Sequence, residues 1–225
     1  MKKTEITEMI EKFAPLQTQE SWDCSGWLVK TDNNNINKVL LCLTVTDNIV
    51  KQAEENHCDM IISHHPLFTV PIKYRNIDIY CAHTNLDKAS GGTTDTLISS
   101  LGLTKTSDDG DFLRYANVNC GVNEFLEKLR SISPNLRYVN NNNTTSLKKV
   151  AFCAGSGSEF VDEAYLNGAD ALVTGDVTFH RAIESPIVIY DIGHFESEIL
   201  VLSVLKNLIH DKVNVLVAAE HSPFI

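Results

Sequence analysis

The sequence predicts an α/β protein made of two related halves with mixed, mostly parallel sheets, and a metal site in the cleft between the halves. Two observations carry the fold class. Apolar runs of strand length alternate with segments of helical periodicity. A stretch of the first half also returns, without a gap, 111 residues later.

The elements follow in order. Ile6, Met9, Ile10 and Phe13 share one helical face, and Thr4, Glu5, Glu8 and Glu11 interrupt any apolar targeting core. Val39–Val45, Met60–Ser63 and Ile77–Ala82 read as buried strands. So do Val150–Ala154, Ala171–Thr174, Ile187–Ile192 and Val213–Ala218. Thr46 or Asp47 can cap a helix carrying Ile49, Val50 and Ala53, and Ser158 one carrying Phe160, Val161 and Ala164. Ile199, Leu202, Leu205 and Ile209 give a last helix an apolar face; the run Ile199–Leu205 is too short to span a bilayer. Asn140–Asn143 reads as a surface loop.

The repeat aligns Lys38–His65 with Lys149–Asp176, identical at seven of 28 positions. Beyond it, His83 and Asp87 stand 111 residues before His194 and Glu198, each pair a histidine, three residues and a carboxylate. His65 maps onto Asp176 at the same offset. The expected division is a discontinuous first domain, 1–107 plus 193–225, and a second domain, 108–192.

The 225 residues suffice for one large or two small cores. Acidic residues outnumber basic ones 29 to 19, for a net charge of -10, which argues against general nucleic-acid binding. It leaves room for a small phosphate-bearing ligand in a local pocket. No pair among the six cysteines has C-x-x-C spacing, so they read as thiols in a reducing cytoplasm.

Chemistry gathers at strand ends. His64 and His65 directly follow Met60–Ser63, and Pro66 stops a helix there. In open parallel sheets that carboxyl edge is where ligands bind. The i,i+4 spacing of His83 with Asp87, and of His194 with Glu198, puts each pair on one helical face. Imidazoles and carboxylates without a thiolate suit zinc, iron, manganese, cobalt or nickel. Asp176 and His180 repeat the i,i+4 spacing. Either Asp176 caps a short helix and His180 is exposed, or the pair supports a ligand or moves protons. Gly155-Ser-Gly157 is a weak phosphate-cradle motif and more often a turn.

At these residues the chain resembles the Nif-three-like dinuclear metal-centre proteins, homologs of GTP cyclohydrolase I type 2. The motifs are Glu20-Ser-Trp-Asp23 with Gly26-Trp27, Ile62–Phe68, Ala82–Asp87 with Gly91-Gly92, Thr174-Gly-Asp176 with His180, and Gly193–Glu198. The resemblance implies that His64, His65, Asp87, His194 and Glu198 hold two divalent metal ions. It also implies a toroidal homohexamer. Cys24-Ser25 departs from the usual tryptophan element, which bears on the pocket rim. The expected function is a metal-dependent hydrolase using a metal-bridging hydroxide on a nucleotide-like substrate, with His180, Asp176 or His83 shuttling protons. The rivals are phosphoester hydrolysis at the same centre, and a non-enzymatic metal-binding or regulatory protein.

Overall fold

A computed structural model describes residues 1–107 and 111–224. The helices are α1 (Lys3–Phe13), α2 (Asp47–Glu55), α3 (Thr84–Lys88), α4 (Thr93–Ser100), α5 (Val122–Leu129), α6 (Val161–Leu166), α7 (Phe179–Glu184), α8 (His194–Glu198) and α9 (Leu202–Ile209). The strands of the first half are β1 (Gly26–Val29), β2 (Lys38–Cys42), β3 (Met60–Ser63) and β4 (Asp78–Cys81). Then come β5 (Lys105–Ser107), β6 (Arg114–Gly121), β7 (Arg137–Val139), β8 (Ser146–Phe152), β9 (Ala171–Thr174), β10 (Val188–Asp191) and β11 (Asn214–Val217). Among the described residues, no helix is long and apolar enough to cross a membrane.

The first unit comprises Met1–Gly92 and Val201–His221. Its sheet runs β1-β4-β3-β2-β11, parallel except for β1 at one edge. Every residue of β3 and β4 is buried, as expected of parallel strands covered on both faces. Ile49, Val50 and Ala53 of α2 pack on Leu40, Ile61 and Ile79. Thr46 caps α2, its side chain accepting from the Ile49 amide. The α1 helix is pinned by Lys3, whose Nζ lies 3.1 Å from both oxygens of Asp78 in the interior. Removing either partner leaves the other charge buried alone, at a cost of about 3–5 kcal/mol.

The second unit comprises Thr93–Leu200 and Ser222–Ile225. Its sheet runs β5-β6-β8-β9-β10-β7. Only β8, β9 and β10 pair in parallel; β5, β6 and β7 join antiparallel. The expectation of mostly parallel pairing therefore describes the first sheet and not the second. The reason lies in β6, whose burial partly alternates, as in an antiparallel strand with one wet face. Asn117 and Asn119 break the apolar run that would have announced it. The contacts place α4, β5 and α8 with this second unit, whereas the sequence division put 93–107 and 193–200 in the first domain. Asp108, the expected start of the second domain, lies outside the described residues.

The repeat appears in the backbone. Val39 pairs with Met60 and Val150 with Ala171, both partners displaced by 111. Three of the identical residues make identical bonds. Asp59 Oδ2 accepts from the Asn37 and Lys38 amides (2.7 and 3.2 Å), and Asp170 Oδ2 from Lys148 and Lys149 (2.7 and 3.0 Å). Lys38 Nζ donates to Asn56 O (2.8 Å), and Lys149 Nζ to Asn167 O (2.9 Å). The next residue is left-handed in both copies: His57 at φ 54 and Gly168 at φ 75.

The offset then slips to 110. Ala82 N donates to Ser63 O, and Ile192 N to Thr174 O. Asp87 N donates to His83 O, and Ser197 N to Gly193 O. His83 is thus the cap residue of α3, while His194 is the first residue of α8. The two histidine–carboxylate pairs are one residue out of structural register.

Candidate metal centre

In the first unit the C-terminal edge of the sheet gathers the donors. His64 and His65 leave β3, and His83 follows β4. The His64 and His65 rings lie 5.1 Å apart, His64 and His83 5.2 Å, and His65 and His83 5.8 Å. One nitrogen from each of the three lies within 4.8 Å of the others, close enough to share an ion. His64 is fully buried, and its Nε2 lies 3.5 Å from Asp87 Oδ1.

What each ring does with its other nitrogen decides the fit. His64 Nδ1 meets the carbonyl of Ala82 at 2.9 Å, His65 Nδ1 meets Thr44 Oγ1 at 2.7 Å, and His83 Nδ1 meets Asp23 Oδ1 at 3.0 Å. A carbonyl or carboxylate can only accept, so Nδ1 of His64 and of His83 carries the proton. The lone pair is then on Nε2. Metal-ligating histidines are held in this way in general. The donor set therefore fits a divalent transition ion.

Asp23 is the hub beneath His83. It accepts from the Cys24 amide (2.7 Å), Ser25 Oγ (2.9 Å), the Thr84 amide (3.1 Å) and Thr84 Oγ1 (2.5 Å). Burial opposes its charge, but bonds from Thr84, His83 and Ser25 prevail and hold its pKa down at about 2. Burial lowers the His83 pKa, with the neighbouring His64 acting in the same direction.

In the second unit His194 and Glu198 do share the face of α8: Nε2 lies 3.0 Å from Glu198 Oε2. His194 Nδ1 meets Asp176 Oδ2 at 2.6 Å. The bond to Glu198, and then the Asp176 contact, outweigh burial and raise the His194 pKa to about 9. Asp176 takes φ 53, a conformation tolerated by Asp. The α7 helix begins only at Phe179, so Asp176 and His180 do not share a helical face. His180 is exposed and packs edge-on against Phe179.

Glycines make room here. A Cβ on Gly155 would sit 2.2 Å from Glu198 Oε1, and one on Gly175 would sit 2.6 Å from the His194 amide nitrogen. The Gly155 amide donates to Ser197 Oγ and that of Gly157 to Thr174 Oγ1, so both are spent inside the protein rather than on a phosphate. Beside His194 lies a cavity of about 360 Å³, lined by Arg137, Asp176, Asp191, Glu196 and Phe224 among others. Arg137 is paired with Asp191.

Thr44 and Asp23 are residues that sequence reasoning gave no role. Asp23 stood inside a recognised motif, but its partner is 60 positions away, and Thr44 meets His65 across 21. No spacing rule reports such contacts.

The fold and these donors define a two-unit α/β protein with histidine–carboxylate groups able to bind metal. The sequence profile of the Duf34/NIF3 family (NGG1p interacting factor 3) matches residues 1–223, and the chain belongs to that family. A protein of Clostridium perfringens named GTP cyclohydrolase 1 type 2 homolog is 31% identical, the match covering 95% of this chain and 93% of that one. The GTP cyclohydrolase 1 type 2 of Helicobacter pylori strain J99 is 29% identical over 96% and 95%. Among solved structures, reduced HcgD from Methanocaldococcus jannaschii superposes with a TM-score of 0.84 at 26% identity, covering 96% of this chain and 97% of that one. The protein ybgI, of unknown function, shares the fold with a TM-score of 0.90 at 21% identity, over 99% and 100%.

Proposed function

We propose that this chain is a metal-dependent hydrolase in which His64, His65, Asp87, His194 and Glu198 hold two divalent transition ions. The observation that carries the reading is the set of three ligand imidazoles, His64, His65 and His194, whose Nδ1 atoms are all tied to polar partners, leaving Nε2 to face an ion. Such ions supply Lewis acidity that lowers the pKa of water and offsets developing negative charge.

The chain's own residues do the rest. Asp176 fixes the orientation of the His194 ring and directs its Nε2. His83, its pKa lowered and its ring fixed by Asp23, is neutral at pH 7 and suited to take up a proton at Nε2. His180, exposed on α7, is suited to exchange protons with solvent. The cavity beside His194 is of the size that takes small molecules. The naming of the Clostridium perfringens and Helicobacter pylori relatives supports a nucleotide-like substrate.

Elemental analysis of reconstituted protein tests the ligands: about two equivalents of metal per chain are expected, and less than half an equivalent in folded protein would sink the reading. Incubation with GTP and with generic phosphodiesters, beside a His64→Ala/Glu198→Ala variant, tests the activity. Product from the wild type alone supports a hydrolase, and the substrate consumed separates a cyclohydrolase from a phosphoesterase. Intact metal binding with no turnover of either favours a non-enzymatic metal-binding protein.

A further inference from the structure

We infer that Glu220 is a positioning residue for His65, acting through Thr44; the inference rests on the reading of His65 as a metal ligand. Glu220 follows β11, and its segment is held at every residue. Ala218 N donates to Leu41 O at 2.8 Å. The Gln52 side chain grips both sides of Ala219, donating to its carbonyl (3.0 Å) and accepting from its amide (2.9 Å). The Glu220 carboxylate then spans two successive amides beyond the end of β2. Oε1 accepts from Leu43 N at 2.6 Å and Oε2 from Thr44 N at 3.1 Å.

Those two residues hold His65. Leu43 O accepts from the His65 amide (2.8 Å), and Thr44 Oγ1 meets His65 Nδ1 (2.7 Å). Both the backbone and the ring of His65 therefore hang on a turn whose amides Glu220 fixes. Charge-assisted bonds to a carboxylate are shorter and stronger than neutral ones, and two of them set an orientation as well as a distance. Closing the sheet does not require this carboxylate, because β11 already pairs with β2 from Asn214 to Val217.

The test is a cobalt(II) titration of the full chain after chelator treatment, read by the d–d absorption of the bound ion. Glu220→Ala is expected to weaken cobalt affinity by about 10–100-fold and to change the absorption envelope. Glu220→Gln, which keeps one acceptor and the shape, should fall between. Thr44→Ser should bind as the wild type does, and Thr44→Val should resemble Glu220→Ala. The double variant Glu220→Ala/Thr44→Val should be no weaker than Thr44→Val alone, because the two residues act in series.

A purely structural role would lower the melting temperature and leave the affinity and spectrum of the folded protein unchanged. Affinity within twofold of wild type and the same spectrum in folded Glu220→Ala overturn the inference, as does additivity in the double variant. If Glu220→Ala does not fold, wild-type affinity and spectrum in Glu220→Gln overturn it equally. No cobalt uptake by the wild type overturns the metal reading and this inference together; uptake unaffected at Glu220 overturns this inference alone.

Discussion

Gly175 is the glycine of the second unit whose missing side chain would meet rigid backbone. It occupies the position that His64 holds in the first unit, 111 residues earlier. A Cβ there would lie 2.6 Å from His194 N and 2.8 Å from both Gly193 C and His194 Cα. Ordinary contact begins at 3.4 Å, so the neighbours must yield by about 0.8 Å. They are all backbone atoms and cannot rotate aside. Overpacking of this kind costs about 1–3 kcal/mol, and rigid neighbours put Gly175→Ala at the upper end, about 3 kcal/mol. For a chain of this size each kcal/mol shifts the melting temperature by about 2–4 °C, so a fall of about 6–12 °C is expected. The measurement is thermal unfolding of metal-free protein, since a bound ion would mask the loss. Gly168→Ala is the control. Gly168 has φ +75 but no atom within 4 Å of a built Cβ, so it tests left-handed strain without crowding. That strain costs about 1 kcal/mol. A Gly175→Ala protein that melts within about 2 °C of wild type, or loses less than Gly168→Ala, refutes the close-approach argument.

Further expectations concern charge. Asp23 has its pKa depressed from 3.8 to about 2, so its contribution is present above pH 4 and lost as pH falls toward 2. The depression corresponds to about 2.5 kcal/mol. Urea titrations should therefore show metal-free wild type losing stability relative to Asp23→Asn as pH drops through that window; parallel pH profiles would discount the hub. His194 has its pKa raised to about 9 from 6.5, chiefly by Glu198, so the stability it adds to metal-free protein is full below pH 6.5 and gone as pH rises through 9. Metal binding at pH 7.5 should consequently expel a proton, seen by calorimetry as a binding heat that varies with the buffer's ionisation enthalpy; buffer-independent heats would count against it. Asp176→Ala should lower metal affinity by about 10–100-fold, beside a loss of about 1 kcal/mol in stability from alanine at φ 53, and an unchanged affinity would remove Asp176 from the site.

Much of this architecture can be read from the sequence for identifiable reasons. Met60–Ser63 and Ala171–Thr174 are buried on both faces, so their apolar runs match the strand bounds residue for residue. The repeat is legible because Lys38, Asn56 and Asp59 do a specific job, tying each strand to the loop behind it, that Lys149, Asn167 and Asp170 repeat. The slip to 110 was hidden by the histidine–carboxylate match at 111. Its signal was Ile79-Tyr80 against Ile189-Tyr190, identical at the smaller offset. The strand β6 was illegible because Asn117 and Asn119 face solvent within it, and β7 because three residues leave no period to detect. At the site, histidines declare themselves by spacing. Their anchors Thr44 and Asp23 do not, because each is an ordinary polar residue until the fold brings it to a ring nitrogen; Asp176 stands out by its spacing to His180, but the ring it meets is that of His194.

Those anchors have a thermodynamic consequence. A loose histidine loses side-chain entropy when it captures an ion, and that loss subtracts from affinity. In the first unit His64 and His65 lose that freedom during folding, through bonds of 2.9 and 2.7 Å at Nδ1. The donors are already stiff when an ion arrives. A stiff cage selects by fit: an ion whose preferred bond lengths differ from the spacing of the Nε2 atoms cannot draw the rings inward, and discrimination among metals rests on geometry more than on the intrinsic order of their affinities.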